Sequence, residues 1–126
     1  MEFEYNLKLS KSGFLHIEIK PNGNMTGYIP NISGWLSSDV QNMGKTYFLP
    51  IFEKVIGGVS EEEVIAGNAY EAVIRKDYTT ISYNFEYCNS KMVPCTLPTQ
   101  MLYEILEIWI KAYDDSHTGE FKWFMF

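Results

Sequence analysis

The side chains of this 126-residue sequence best suited to covalent chemistry are Cys88, Cys95, His16 and His117. A thiol beside an imidazole makes a nucleophile with its general base. That chemistry needs the pair within hydrogen-bond reach, and neither cysteine sits in a nucleophile elbow or at a helix start. The six residues between Cys88 and Cys95 match neither a zinc knuckle nor a redox pair. A free cysteine is most often a small buried hydrophobe. His16 falls on the polar side of an alternating segment, which points to a solvated imidazole. A small cysteine-dependent enzyme therefore stands as an alternative reading.

Carboxylates are the second resource. Glu61-Glu62-Glu63 resembles an acid–base or metal cluster. Negative charge in a first helical turn also complements the helix dipole, and no loop pattern here fixes oxygens around a hard cation. Asp114-Asp115 closes the principal helical pattern, where carboxylates oppose the dipole and give the helix no obvious benefit. A polar helix stop accounts for them; so does a basic partner, met by Glu61, Glu62, Asp114, Asp115 and Glu120 together. Gly57-Gly58 and Asn22-Gly23 read as turn glycines, and no phosphate loop or dinucleotide fingerprint occurs. The expectation is no catalytic residue, no metal site and no cofactor.

The charge balance narrows the partners. Lys and Arg number 10 against 16 Asp and Glu, a net charge of −6, and Arg75 is the single arginine. Phosphate backbones and anionic membranes are bound through clustered Lys and Arg, so neither is expected as a partner. A basic protein surface is favoured, while solubility alone also accounts for the charge. The start, Met1-Glu2-Phe3-Glu4, has no basic segment and no apolar stretch of the secretory kind. A cytoplasmic protein with reduced thiols is the expectation.

The elements that would position these residues follow from periodicity. Phe3, Tyr5, Leu7 and Leu9 alternate with polar residues over 2–9, and Leu15, Ile17 and Ile19 do so after the Ser10–Gly13 turn. Both segments read as half-buried strands. Pro21-Asn22-Gly23-Asn24 is a turn, and 25–29 reads as a third strand ended near Pro30. Ser38-Asp39 is positioned to cap a helix carrying Val40, Met43 and Tyr47. Pro50 opens another helix with Ile51, Phe52, Val55 and Ile56 inward, stopped by Gly57-Gly58. Ser60-x-x-Glu63 matches a capping box and predicts a short helix up to Gly67. A hairpin follows: strand 69–76, a bend at Lys76-Asp77-Tyr78, and a strand placing Ile81, Tyr83, Phe85 and Tyr87 on one face. Residues 97–113 form the principal helix, with Pro98 in its first turn and Leu102, Ile105, Leu106, Trp109 and Tyr113 as its apolar stripe. Glu107 and Lys111 have the favourable i,i+4 order. Trp35 and Trp123 are the aromatics expected to be partly exposed. The aromatic end, Phe121 to Phe126, is expected to dock on the core, add an edge strand or serve self-assembly. With no linker or repeat, the whole reads as a single α+β domain over 1–126, a mostly antiparallel sheet with helices packed on one face.

One stretch has a further likeness. The strand Ile81-Ser82-Tyr83-Asn84-Phe85-Glu86-Tyr87-Cys88, the loop Pro94-Cys95-Thr96-Leu97-Pro98 and the helix to Trp109 cover roughly the C-terminal half. In style they resemble small immunity proteins of bacterial contact-dependent growth inhibition and related polymorphic-toxin systems. Size and acidity fit the same group. The resemblance implies a cytoplasmic inhibitor that binds one cognate toxin, often a basic nuclease, and blocks its active site. It carries over no functional residue, because the group shares no fixed motif. In that setting the carboxylates would take the place of the toxin's phosphate substrate. A self-assembling regulatory or structural module is the remaining alternative.

Overall fold

The computed structural model describes residues 3–84 and 92–118, the last two without side chains. The expected hairpin forms: β1 (Glu4–Leu9) pairs antiparallel with β2 (Leu15–Lys20), with Leu9 opposite Leu15 and Glu4 opposite Lys20. Leu15, Ile17 and Ile19 are buried, while the residues between them face solvent.

The expected third strand does not form. Residue Thr26 makes a single bridge to Thr96, and Pro30 opens a helix instead of ending a strand. Proline has no N–H to give and a fixed φ, which suits a first helical turn. Helix α1 (Pro30–Trp35) continues into irregular turns: π-helical over Leu36–Val40, 3-10 over Gln41–Met43, and π-helical again over Gly44–Phe48. Helix α2 (Leu49–Ile56) follows with Pro50 in its first turn and Phe52 and Val55 buried, and Gly57 ends it as expected. Trp35 is 1% exposed, contrary to the expectation of partial exposure, because its ring is enclosed by Phe48 and Phe52.

The capping-box helix is also overturned. Residues Glu62–Ala66 form strand β3, paired antiparallel with β4 (Tyr70–Arg75). The Ser60 hydroxyl still donates to the Glu63 carboxylate, at 2.9 Å, but no helix surrounds it. Local polar pairing suits either conformation; branched Val64 and Ile65 laid beside Val73 and Ala72 favour the strand. Strands β5 (Tyr78–Tyr83) and β6 (Cys95–Pro98) complete a four-stranded antiparallel sheet in the order β3-β4-β5-β6. Phe85, Tyr87 and Cys88 lie outside the described residues.

Helix α3 (Thr99–Thr118) begins after Pro98, not with it. Pro98 ends β6, an edge strand, where a missing N–H removes no ladder bond. The start of α3 is fixed by a short network. The Thr99 N–H donates to the Asp77 carbonyl at 3.0 Å. Its hydroxyl donates to the Arg75 carbonyl, so the Thr79 hydroxyl, 2.8 Å away, is the donor to Thr99. Met101, Leu102, Ile105, Leu106 and Trp109 are buried against the inward faces of the sheets, which carry Ile17, Ala72, Ile74, Ile81 and Leu97. The expected Glu107–Lys111 pair is replaced by Lys111–Asp115 at 3.2 Å. The architecture is α+β, with two antiparallel sheets and helices on the inward face of the four-stranded one.

Asp39 does not cap the helix that its position suggested. Its carboxylate reaches across the chain and accepts the backbone N–H groups of Ala69 at 2.9 Å and Tyr70 at 3.0 Å. This ties the irregular helical segment to the β3–β4 turn. The approach requires Gly67, where an added Cβ would stand 2.2 Å from an Asp39 carboxylate oxygen. Replacing Asp39 by Ala strands two amides and is expected to lower stability by about 1–3 kcal/mol in a denaturant titration. Gly67→Ala is expected to destabilise in the same direction by displacing the same carboxylate. An unchanged midpoint in both variants would contradict this role.

Candidate functional site

Cys95 is fully buried on the inward face of β6. Burial pushes its thiol up to about 11, so at neutral pH it is protonated and enclosed. A nucleophile needs the opposite environment. Cys88 and the His117 side chain lie outside the described residues, and His16 is exposed on β2. Among the described residues, no group of three or more His, Cys, Asp or Glu is placed to hold a metal ion.

The carboxylates singled out by sequence fall at two separate places. Glu61 is exposed just before β3, and Glu62, on β3, is ion-paired with Arg75 at 2.9 Å. Asp114 is exposed in the penultimate turn of α3, and Asp115, beside it, accepts from Lys111. Glu120 lies outside the described residues. Arg75 links Glu62 to the start of α3 through Thr99. Asp114 is fifteen residues further along, about 22 Å at the rise of an α-helix. One compact acidic patch is therefore excluded for Glu61, Glu62, Asp114 and Asp115; the two pairs lie toward opposite ends of α3.

The Asp114 end has a built site. A groove of about 520 Å³ lies between the turn of the β1–β2 hairpin, the irregular helical segment and the last turns of α3. It is lined by Phe14, His16, Ser37, Gln41, Trp109 and Tyr113. The Trp109 indole N–H donates to the Gln41 carbonyl at 2.9 Å, and the Trp109 and Tyr113 rings lie 5.8 Å apart. Gln41 holds φ +47 and is the one non-glycine residue with positive φ among those described. That conformation is strained for a side-chain-bearing residue and persists where its surroundings hold it. Here the indole bond and the Gln41 amide, which donates to the Ser38 carbonyl at 2.7 Å, do so.

Phe14 forms the outer rim. It follows Gly13, whose φ of +88 closes the hairpin turn, and its ring is 73% exposed. Sequence reasoning passed over it, although the signal was present. With Leu15, Ile17 and Ile19 inward, the phase of the strand puts residue 14 outward.

A second line of carboxylates runs beside the first turns of α3. The Tyr103 hydroxyl donates to Glu53 on α2 at 3.0 Å. Burial, that bond and the negative charges of Glu53 and Glu107 together raise its pKa. Glu104, Glu107, Lys111 and Asp114 follow along α3 at alternating spacings of three and four, the spacing of one helical face.

No protein-family model, curated protein or solved structure matches the chain. Among the described residues, no helix is long and apolar enough to cross a membrane.

The burial of Cys95 makes a direct prediction. In a Cys88→Ser background, iodoacetamide at mildly alkaline pH is expected to leave Cys95 unmodified in the folded protein and to label it fully after unfolding. Rapid labelling of the folded protein would contradict the placement of this thiol in the core.

Proposed function

We propose that the chain is a stoichiometric protein-binding inhibitor of the immunity type, which docks a basic partner at the C-terminal end of α3. The observation that carries the reading is Phe14, an aromatic ring 73% exposed on the rim of a groove floored by Trp109 and Tyr113. Its exposure leaves unburied an apolar side chain worth about 1.5–3 kcal/mol when fully covered. Aromatic anchors of this kind carry much of the energy in protein interfaces.

The charge supports the partner's sign. Asp114 is exposed on the helical turn that contributes Tyr113 to the groove, and Glu104 and Glu107 continue its face. Against a net charge of −6, a basic surface is steered in and an acidic one is repelled. Inhibition follows from position: a partner whose cationic active site meets these carboxylates cannot hold phosphate there. The likeness to immunity proteins of polymorphic-toxin systems fits this chemistry.

The test is capture followed by rescue. A tagged chain used as bait in its native cells is expected to retain one basic protein in equimolar amount. Expressed alone, that protein is expected to be toxic; co-expression of this chain removes the toxicity. Phe14→Ala is expected to leave the melting temperature unchanged yet weaken the complex by about tenfold or more. A partner that binds Phe14→Ala and Asp114→Asn as tightly as the parent chain would contradict the docking site. A captured partner whose toxicity persists would contradict the immunity role.

A further inference from the structure

We infer that the outer edge of β3, unpaired among the described residues, is a second docking element, which takes up an extended basic segment of the partner as a fifth strand of the sheet. The inference rests on the reading of a basic protein partner and adds a surface at the other end of α3.

The Gly67 N–H donates to the Tyr70 carbonyl at 2.8 Å, so that pair, in register with the rest of β3–β4, is a hydrogen-bonded one. Hydrogen-bonded and non-bonded pairs alternate in an antiparallel ladder. Ile65 and Glu63 therefore bond to Ala72 and Ile74, while Glu62, Val64 and Ala66 aim their N–H and C=O groups away from β4. The Glu62 carbonyl lies 3.1 Å from the Ser60 hydroxyl, whose one proton it shares with the Glu63 carboxylate. The N–H groups of Glu62, Val64 and Ala66 and the carbonyls of Val64 and Ala66 have no partner among the described residues. All three residues are exposed, Val64 by 55%.

An edge of this kind is a template for another strand, and proteins usually guard it with charged side chains, proline or a bulge. Within Glu62–Ala66 there is no lysine, proline or bulge; the guards are Glu62 and Glu63, whose charge repels an acidic strand and admits a cationic one. The edge carries Glu61, Glu62 and Glu63, with Glu71 opposite Ala66 on the same outer face. Arg75 is engaged by Glu62, which leaves Glu61 and Glu71 without a cation within 4.0 Å among the described residues. A second copy of the chain would bring another such cluster against the first. A segment alternating lysine or arginine with branched apolar residues meets both needs: its backbone satisfies the free groups, and its cations face the carboxylates.

The edge geometry supplies a clean block. Because the Val64 N–H points outward, Val64→Pro removes no bond within the sheet, and proline is tolerated at such edge positions. Ala66→Pro blocks the same edge and serves if the first variant lowers the melting temperature.

The probe is the peptide Lys-Val-Lys-Val-Lys-Val-Lys, with its glutamate counterpart as control, added to the full chain and followed by amide hydrogen exchange and titration. The lysine peptide is expected to slow exchange at Glu62, Val64 and Ala66, and the proline variant to weaken its binding by about tenfold or more. Three outcomes would overturn the proposal. One is no slowing at these amides, or equal slowing by the glutamate peptide. Another is undiminished binding to the proline variants with protection along α3, which leaves the basic-partner reading standing. The third is protection that rises with protein concentration without peptide, which assigns the edge to a second copy. Failure of the basic-partner reading shows separately, in the capture and Phe14 experiments at the opposite end of the helix.

Discussion

The bond from the Trp109 indole N–H to the Gln41 carbonyl joins α3 to the irregular helical segment. One partner belongs to the longest helix; the other sits at positive φ where the helical segment changes from π to 3-10 geometry. Burying Trp109 supplies apolar contact, and its one polar atom finds an acceptor in the Gln41 carbonyl. Gly44 allows the same two elements to approach, since an added Cβ would meet Ile110 at 2.6 Å. The start of α3 is fixed by Thr99, bonded to the Arg75 and Asp77 carbonyls. A helix held at its start and its middle sets two separated surfaces in one frame, with the aromatic groove beside its C-terminal half and the β3 edge near its start.

Much of this frame was legible in the sequence, and the misses have a common cause. Alternation located β1 and β2, helical period located α3, and Pro50 with Gly57-Gly58 bracketed α2. The failures came where a short-range signal met a long-range partner. Ser60 and Glu63 pair as a capping box does, but β4 recruits the segment as a strand. Asp39 looks like a helix cap and binds amides thirty residues away. Trp35 stands among serine and glycine yet is enclosed by Phe48 and Phe52, which only the turn of the chain brings near.

The candidate site shows the same division. Asp114, Asp115, Glu61 and Glu62 were visible as carboxylates with no obvious task, but their separation along α3 was not. Phe14 was marked by the phase of β2. Its grouping with Trp109, Tyr113 and Gln41 depends on contacts between segments far apart in sequence.

The surface charges are unevenly committed. On the outer face of the hairpin, Lys8 binds Glu18 and Lys20 binds Glu4, and the Lys8 ammonium, chiefly through its bond, lowers the Glu18 pKa. Such exposed pairs add little stability, yet they neutralise that face. Among the described residues the negative surplus falls largely on α3 and the β3 region, a field that would draw the proposed basic partner there. The most direct measurement of this account is the association rate of the captured partner as a function of ionic strength. The account predicts a fall of about tenfold between about 50 and about 300 mM salt, with a nearly constant dissociation rate. An association rate independent of salt would contradict the claim that these carboxylates guide the partner in.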